Sequence, residues 1–330
     1  MTVFDDNKIA VIIPAFNSES TIERAARSVL SQNLPDALSL ELIVVDDGST
    51  DRTVDVVEKL MTKHQGRLRL ICQPENAGPS AARNAALHAT DAAWFTPLDS
   101  DDFMGPDRLS HLIGVARDGL WQIVADNLLI SDSQTPDKVI RTLWPEKPAG
   151  MIKMTLSFFV RHNLTAVNER SELGFLKPLI DRRQAPHLIG LYREQMRFAE
   201  DYDLYTRLLA DGARACLIDS AGYYAVQRRG SLSRTPSGID FERLIAADTD
   251  LLQRPTLEPR DRQEIERHRS QVQKLWVWVR AIEAVRNRHV FEFLRCFAVS
   301  PSASWALVGK LVQRAIKGGR RKPPQGQVAT

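Results

Sequence analysis

Short apolar runs alternate with amphipathic segments over the first hundred residues. The apolar runs cover residues 9–14, 40–45 and 68–71, and a fourth begins near residue 93. They are short and rich in β-branched residues, which is typical of strands buried on both faces. Between them, apolar residues recur at helical spacing over residues 22–30, 53–63 and 79–90. This repeated alternation predicts an α/β fold with a mostly parallel central sheet.

Polar residues follow three of the four predicted strands, at the point where each strand ends. The strand ends are Pro14-Ala15-Phe16-Asn17, Asp46-Asp47-Gly48-Ser49 and Asp99-Ser100-Asp101-Asp102. Ligands of open α/β sheets bind at the carboxyl ends of the strands. We therefore expect these three segments to line one crevice.

The last of these segments carries three carboxylates directly after a buried strand. Side-chain direction repeats every two residues in an extended chain, so Asp99 and Asp101 point to the same side. Two hard oxygen ligands suit Mg²⁺ or Mn²⁺, which in turn binds a diphosphate. A solvated acidic turn explains the same residues, because aspartates are common in turns.

The phosphate-binding loops of other nucleotide-binding folds are missing from the sequence. No GxGxxG follows the first strand, and GxxxxGK[ST] occurs nowhere in the chain. Phosphate must therefore be held in another way, which favours a metal on the acidic segment. The three cysteines lie far apart, and the amino terminus carries no signal-peptide pattern. Both features predict a protein of a reducing compartment, the cytoplasm.

The second third of the chain continues the same alternation less regularly. Residues 103–116 open with Gly105-Pro106 and then predict a helix, and residues 123–128 predict a strand. Residues 132–150 are rich in Pro, Asp and Lys and predict loops, while residues 155–163 predict a short helix or a loop. Ala215 to Ile218 predicts a last strand.

Glu200 and Asp201 begin another amphipathic segment, which carries Leu204, Leu208 and Leu209. Acids are common in the first turn of a helix because they complement the helix dipole. The same pair is also suited to general-base catalysis. The residues alone leave both interpretations open.

The composition changes after residue 239. Residues 260–330 hold 15 Lys and Arg against 5 Asp and Glu, a net charge of +10, so the rest of the chain carries −7 within the overall +3. Residues 260–288 predict a long helix with an apolar stripe at Leu275, Trp278, Ile282 and Val285, and residues 305–316 predict a second one. Such helices suit an anionic membrane surface. Packing on the rest of the protein explains them equally well, whereas nothing resembles a nucleic-acid-binding module.

No run of about 18 apolar residues occurs, so we expect no membrane-spanning helix.

Four motifs in the first hundred residues resemble one known family. Val11-Ile12-Ile13-Pro14-Ala15-Phe16-Asn17, Val44-Val45-Asp46-Asp47-Gly48-Ser49, Asn76-Ala77-Gly78-Pro79-Ser80 with Arg83-Asn84, and Leu98-Asp99-Ser100-Asp101-Asp102 occur in the order found in the family 2 inverting glycosyltransferases of the GT-A fold. The resemblance implies a donor-binding half at residues 1–105, an acceptor-binding half at residues 106–238 and a helical extension at residues 239–330.

The resemblance also implies roles for the residues of the donor site. Pro14, Ala15 and Asn17 would line the nucleoside pocket, and Asp46 and Asp47 would face the base. Arg83 would approach the base or the phosphates, and Asp99, with Ser100, would reach the ribose. Asp101 would bind Mg²⁺ or Mn²⁺, with Asp99 and Asp102 as further ligand candidates.

On the acceptor side, the resemblance makes Asp201 the general base and Glu200 its neighbour. Arg228 or Arg229 would pair with the departing diphosphate. The Gln-x-x-Arg-Trp motif of the processive synthases is absent, so a single sugar addition is expected.

Within the family, residues 199–233 are most similar to bacterial exopolysaccharide transferases of the succinoglycan type. That similarity implies a UDP-sugar donor, usually UDP-glucose, and a lipid-linked saccharide acceptor. It also implies peripheral contact with the cytoplasmic face of the inner membrane, through the basic tail.

Two other classes of function have to be weighed. A nucleotidyltransferase that makes the donor sugar needs a Gly-rich loop after the first strand, and residues 14–17 do not form one. A catalytically silent scaffold that binds a nucleotide or a partner would not need Asp99, Asp101 and Asp201.

Overall fold

The computed structural model describes residues 3–64, 66–144, 150–163, 173–184, 191–227 and 236–286, together with Phe291. The strands are β1 (Asp5–Ala15), β2 (Ser39–Asp46), β3 (Leu68–Cys72), β4 (Ala92–Pro97), β5 (Phe103–Met104), β6 (Ile123–Asp126), β7 (Leu129–Asp132), β8 (Thr135–Thr142), β9 (Ile152–Met154), β10 (Leu179–Asp181), β11 (Ala215–Ile218) and β12 (Tyr223–Gln227). The helices are α1 (Ile22–Leu30), α2 (Thr53–Met61), α3 (Pro79–His88), α4 (Arg108–Gly119), α5 (Leu156–Arg161), α6 (Glu200–Ala210), α7 (Gly238–Leu252) and α8 (Pro259–Arg286).

One eight-stranded sheet forms the centre of the molecule, in the order β3-β2-β1-β4-β10-β6-β11-β9. The first four strands in this order are parallel, as the sequence predicts. Beyond β4 the sheet is mixed, because β10 is antiparallel to both of its neighbours and β9 is antiparallel to β11. The apolar runs that predicted β1 and β2 lie buried in the core.

The order of the first four strands creates a crevice at the carboxyl ends of β1 and β4. The chain moves outward from β1 to β3 and then returns to pair β4 on the other side of β1. Right-handed crossovers therefore place α3 on the opposite face from α1 and α2. Ligands of open α/β sheets bind where the strand order reverses in this way. Two of the three predicted polar segments flank this position.

β10 brings a distant part of the chain to this crevice. Because β10 runs antiparallel to β4, with Ile180 opposite Phe95, the residues just before β10 lie at the carboxyl end of β4. The hydroxyl of Thr96 donates a hydrogen bond to the carbonyl of Lys177 at 3.2 Å. The side chain of Lys177 is thereby fixed next to the acidic segment that follows β4.

A second sheet, in the order β5-β12-β7-β8, covers the far side of the acidic segment. One expectation needs correction here. Residues 132–150 are not all loop, because β8 pairs with β7 as an exposed edge strand, and such a strand lacks the buried alternation that marks strands in a sequence. The helix predicted after Gly105-Pro106 is confirmed and begins at Arg108, while Phe103 and Met104 pair with β12. The sequence predicted β11 as the last strand of the chain, but β12 follows it and belongs to the second sheet.

The carboxyl-terminal helices α7 and α8 pack on the α/β core. Ile265, Val272, Val277 and Ala281 of α8 are buried, and α8 contacts α5 and α7. Arg161 of α5 donates to Glu264 at 2.6 Å. Leu275 and Ile282, from the predicted stripe, remain 42% and 46% exposed.

The described part of α8 therefore has both a packed face and an exposed apolar edge. The segment at residues 305–316 lies outside the described residues. No helix in the described part of the chain is long and apolar enough to cross a membrane.

A buried ion pair joins α4 to the end of β6, close to the segment before β10. Arg108, at the start of α4, donates to Asp126 at the end of β6 at 2.7 Å, and neither side chain is exposed. The same guanidinium donates to the carbonyl of Lys177 and lies 5.0 Å from the ring centroid of Tyr223. One side chain thus ties α4, β6 and β12 to the segment before β10.

Replacing Arg108 by Met should strongly destabilise the protein, because the change leaves the Asp126 carboxylate buried without its partner. Removal of one member of a buried pair costs about 3–5 kcal/mol. The free energy of unfolding in urea measures the loss. Arg27→Met is the matched control, since Arg27 pairs with Glu23 on an exposed face of α1 and should change the value by less than about 0.5 kcal/mol. Equal effects of the two substitutions would contradict a structural role for Arg108.

Candidate active site

The three predicted strand ends meet at one edge of the large sheet. Ala15 at the end of β1 lies opposite Asp46 at the end of β2, and Ile12 lies opposite Pro97 of β4. Asn17 adopts a left-handed backbone (φ 49°). Its side-chain oxygen accepts a hydrogen bond from the Thr50 amide at 2.8 Å. The first two loops are therefore bonded to each other, and Pro14, Ala15 and Asn17 lie at the crevice as expected.

Asp46 and Asp47 have different surroundings. Asp47 accepts hydrogen bonds from the amides of Ala77 and Gly78 at 2.8 and 2.9 Å, so both of its oxygens are used to hold the loop before α3. Asp46 accepts one bond from the Ser49 amide at 3.1 Å, and its Oδ1 is buried with no hydrogen-bond partner. An orphaned buried oxygen is costly unless a ligand supplies a donor. Asp46 is thus the better placed of the two to accept a hydrogen bond from a ligand.

Gly48, between these aspartates and Ser49, has no substitute in this loop. It has φ 74°, and a Cβ at this position would lie 2.8 Å from the main chain of Glu75. Only glycine combines this left-handed backbone with such a close approach.

Two buried cations and three carboxylates form the centre of the site. Arg83 of α3 donates to Glu200 at 2.8 Å and to Asp99 at 3.1 Å. Lys177 donates to Asp201 at 2.7 Å and lies 3.1 Å from Asp99. The side chains of Arg83, Lys177 and Asp201 are all buried, whereas Asp99 remains 35% exposed. This arrangement, the charge cluster, joins residues from four distant segments.

The charges in the cluster stabilise one another against the cost of burial. Burial alone would lower the pKa of Lys177, but the carboxylates of Asp201 and Asp99 outweigh it and raise that pKa above its usual range. Burial alone would raise the pKa of Asp99, but Lys177 and Arg83 lower it. The lysine is therefore charged and Asp99 is ionised at neutral pH.

Asp201 has one oxygen that is free to act. Its Oδ2 accepts from Lys177, whereas its Oδ1 is buried, has no hydrogen-bond partner and lies 3.8 Å from the Arg83 guanidinium. Glu200 is held by Arg83 on the other side of the same turn. The two carboxylates named by the sequence are thus brought together with Asp99, and Asp201 has a buried oxygen without a hydrogen-bond partner.

The acidic segment after β4 has a different arrangement at each carboxylate. Both oxygens of Asp102 accept hydrogen bonds at 2.8 Å, from the Tyr223 hydroxyl and the Val226 amide of β12. Burial and the charges of Asp99 and Asp101 raise the pKa of Asp102 well above its usual range. Asp101 is only half-buried, and its carbonyl accepts from Arg24. Ser100 contacts Ser18, with 2.8 Å between the hydroxyl oxygens.

Among the described residues, no three His, Cys, Asp or Glu side chains come together as a group that could hold a metal. Asp99 is paired to cations and Asp102 is bonded to β12, and Asp101 stays the predicted metal ligand. One carboxylate fits a hard divalent ion whose remaining ligands are phosphate oxygens and water, as is usual for Mg²⁺.

The sequence matches the family model described as glycosyl transferase family 2 over residues 10–173. It is also 35% identical to the succinoglycan biosynthesis protein ExoU of Rhizobium meliloti (strain 1021) over 326 residues, which cover 98% of this chain and 92% of the relative. The chain belongs to glycosyl transferase family 2. It is a glycosyltransferase, as the four sequence motifs predicted, and it is related to the succinoglycan biosynthesis proteins, as the similarity of residues 199–233 predicted.

Solved structures of the GT-A fold resemble this transferase over most of its length. S. aureus TarS (residues 1–349, in complex with UDP) gives a TM-score of 0.63 at 20% identity, over 91% of this chain and 83% of that one. The mannosyltransferase PcManGT from Pyrobaculum calidifontis, in complex with GDP-Man and Mn²⁺, gives a TM-score of 0.55 at 18% identity, over 95% and 83%. Identities this low show the fold alone, and they confirm the predicted GT-A fold.

Lys177 and Tyr192 are residues of the transferase site that sequence reasoning missed. Lys177 lies just before β10, and the ring centroid of Tyr192 lies 5.2 Å from the Arg83 guanidinium. Lysine is almost never buried without a partner, but the sequence does not show that Lys177 is buried. Arg228 and Arg229 lie outside the described residues.

Substitutions of the neighbouring Asp101 and Asp102 should separate metal binding from structural support. Asp101→Asn should weaken Mn²⁺-dependent UDP binding by roughly tenfold or more, about 1.4 kcal/mol, because it removes the carboxylate predicted to bind the metal. Asp102→Asn should leave the affinity close to wild type, since the amide oxygen keeps the bond from Val226 and the amide nitrogen can donate to the Tyr223 hydroxyl. Isothermal titration of UDP with and without Mn²⁺ measures both. Wild-type affinity in Asp101→Asn would exclude it as a metal ligand.

Proposed function

We propose that this transferase moves a hexose from a nucleotide diphosphate sugar, UDP-glucose, to a hydroxyl group of a lipid-linked oligosaccharide. The reaction would be a single addition in the assembly of a succinoglycan-type exopolysaccharide, with inversion at the anomeric carbon. The observation that carries the proposal is the free, buried Oδ1 of Asp201 next to the donor-side Asp99. A base in this position serves attack by an acceptor hydroxyl.

The donor assignment is supported from two sides. Asp46 offers a buried oxygen without a hydrogen-bond partner in the nucleoside crevice. Uracil has one N–H group that can donate a hydrogen bond to such an oxygen. TarS, which has the same fold, was crystallised with UDP. The choice of glucose rests on the similarity to the succinoglycan proteins.

The residues of the charge cluster divide the work of the reaction. The acceptor oxygen forms a bond to the anomeric carbon while the bond from that carbon to the diphosphate oxygen breaks, and the departing diphosphate takes the electron pair. The acceptor proton passes to Oδ1 of Asp201. Lys177 keeps Oδ2 occupied, so that the proton has one destination, and Arg83 holds Glu200 and Asp99 in place. A single displacement of this kind inverts the anomeric configuration.

Asp101 is the residue that would hold Mg²⁺ or Mn²⁺ together with the donor diphosphate. When bound, the ion neutralises negative charge on the leaving group. Asp99 would contact the ribose, and Asp102 would fix the loop to β12. Arg228 and Arg229 remain candidates for pairing with the departing diphosphate.

Two other functions remain as alternatives. The chain could extend a different cell-surface polysaccharide, which would change the donor and acceptor but not the roles of Asp201 and Asp101. A non-catalytic nucleotide-binding scaffold would bind UDP without turning over any sugar nucleotide. A screen of nucleotide sugars by thermal shift with Mn²⁺, followed by measurement of released UDP, distinguishes these outcomes.

Asp201→Asn should keep donor binding and lose catalysis, because it removes the base while leaving a side chain of the same size. We expect turnover, measured as UDP release from UDP-glucose with acceptor lipid extract, to fall by roughly 10²- to 10⁴-fold. The affinity for UDP should stay near wild type. Asp211→Asn makes the same chemical change just beyond the end of α6, far from the charge cluster, and should leave turnover unchanged. Wild-type turnover in Asp201→Asn would exclude it as the base.

The exposed edge of α8 supports peripheral contact with the cytoplasmic face of the inner membrane, where a lipid-linked acceptor would be found. Leu275 and Ile282 are exposed two turns apart, and Trp278 between them is half-buried. The region from residue 260 onward carries the net charge of +10. Apolar and basic residues together suit an anionic leaflet.

Replacing Leu275 and Ile282 together by Ser should lower co-sedimentation with phosphatidylglycerol-containing vesicles, because the change removes exposed apolar area. Val139→Ser with Ile140→Ser is the matched control, since these residues are exposed on β8, away from the basic helix. Vesicles of phosphatidylcholine alone test the contribution of charge. Unchanged sedimentation of the α8 variant would exclude this edge as the contact surface.

A further inference from the structure

The helix that carries the base begins in an unfavourable way. Ala199, the residue before α6, has a left-handed backbone with φ 57°, and no side chain caps the helix start. A non-glycine residue is strained in this conformation, because its Cβ comes too close to the following carbonyl oxygen. Such strain persists only where the surrounding structure fixes the segment, and it is concentrated at functional sites. Other contacts must therefore hold the first turn of α6.

Four consecutive side chains in that turn are anchored in different directions. Glu200 and Asp201 face the charge cluster. Asp203 is held by Arg207 at 2.9 Å and by Arg193 at 3.3 Å. Tyr202 points away from the site, toward the carboxyl-terminal helices. The turn is thus fixed from the side opposite the reaction as well as from within the site.

Tyr202 takes part in a buried network with Asp248 of α7 and His268 of α8. Its hydroxyl donates to Asp248 at 3.0 Å and lies 3.1 Å from Nδ1 of His268. The same Nδ1 lies 2.7 Å from the other oxygen of Asp248. The Tyr202 and His268 rings stack with 4.5 Å between their centroids. All three side chains are buried, so each polar group depends on the other two.

We propose that Asp248 and His268 are positioning residues that hold the base Asp201 in place through Tyr202. One peptide bond separates Tyr202 from Asp201, and both lie in a single rigid turn. The carboxyl-terminal helices would then belong to the catalytic apparatus, in addition to any contact with a membrane. This inference rests on the proposed function, because it assumes that Asp201 is the base.

A buried polar network has a physical advantage over apolar packing at this interface. Apolar side chains can slide or change rotamer with little loss, whereas breaking one bond of a buried polar network leaves unpaired groups behind. Polar pairs of this kind fix one arrangement among several. The base must lie within hydrogen-bond reach of the acceptor hydroxyl, and a misplacement of 1 Å can cost a hundredfold in rate.

Tyr202→Phe tests the inference with the smallest change, because it removes the hydroxyl and keeps the ring stack. Turnover is measured as UDP release from UDP-glucose, or from the nucleotide sugar that the screen identifies. We expect kcat to fall roughly tenfold or more, with the donor KM and the affinity for UDP unchanged. His268→Leu should act in the same way. His268→Asn, whose amide can replace the Nδ1 hydrogen bond, should recover much of the loss.

Trp276→Phe is the control for general weakening of the helical extension. It removes a hydrogen bond of 3.1 Å between α8 and Glu242 of α7, and it touches neither α6 nor the network. All variants are assayed at least 15 °C below their own Tm. The positioning role is wrong if Tyr202→Phe keeps full kcat. It is also wrong if Trp276→Phe lowers kcat as much as Tyr202→Phe does for the same loss of Tm.

Hydrogen exchange of a peptide spanning residues 199–204 provides a measurement that does not depend on activity. Its amides should exchange faster in Tyr202→Phe and at the wild-type rate in Trp276→Phe. Unchanged exchange in Tyr202→Phe would also overturn the inference. Absence of UDP release from every nucleotide sugar by the wild-type protein would instead reject the proposed function, while the exchange result would still decide whether the network holds the turn.

Discussion

The attraction between two buried cations and three carboxylates is the interaction on which the rest of this site depends. Arg83 and Lys177 are both buried, and each contacts carboxylates from both the donor and the acceptor side. Either cation alone would be costly to bury, and so would the carboxylates. Together they offset that cost, and their geometry leaves one oxygen of Asp201 without a partner. A group with unused hydrogen-bonding capacity in a buried site is available for chemistry.

The fold provides the positions that this cluster requires. β4 delivers Asp99 at its carboxyl end, α3 supplies Arg83 from one face of the sheet, and the antiparallel β10 places Lys177 beside both. Arg108 holds the segment before β10 from behind through the Lys177 carbonyl. Asp201 comes from α6, and Tyr202 in the same turn contacts Asp248 and His268 of the two carboxyl-terminal helices. The site is therefore the meeting point of the sheet and the helical extension.

The sequence allowed the main strands, the GT-A fold and the grouping of three strand ends to be predicted, because buried parallel strands leave continuous apolar runs. It also placed Glu200 and Asp201 at a helix start. It did not show Lys177, Arg108 or the Tyr202 network, because each of these depends on a contact between residues far apart in sequence. For the same reason it gave Asp46 and Asp47 one shared role, although main-chain amides occupy both oxygens of Asp47. The exposed strand β8 carries no periodic pattern from which it could be recognised.

The insertion of β10 between β4 and β6 has a consequence for how the enzyme is assembled. Within the first hundred residues β1 pairs with β4, with Ile9 opposite Trp94, and the contact between Thr96 and Lys177 closes a further separation of 81 residues. Long-range contacts form late, because the entropy of closing a long loop has to be overcome first. A chain that ends before β10 contains the strands β1 to β4 but lacks Lys177 and Asp201. The charge cluster is therefore complete only when both halves of the large sheet have formed.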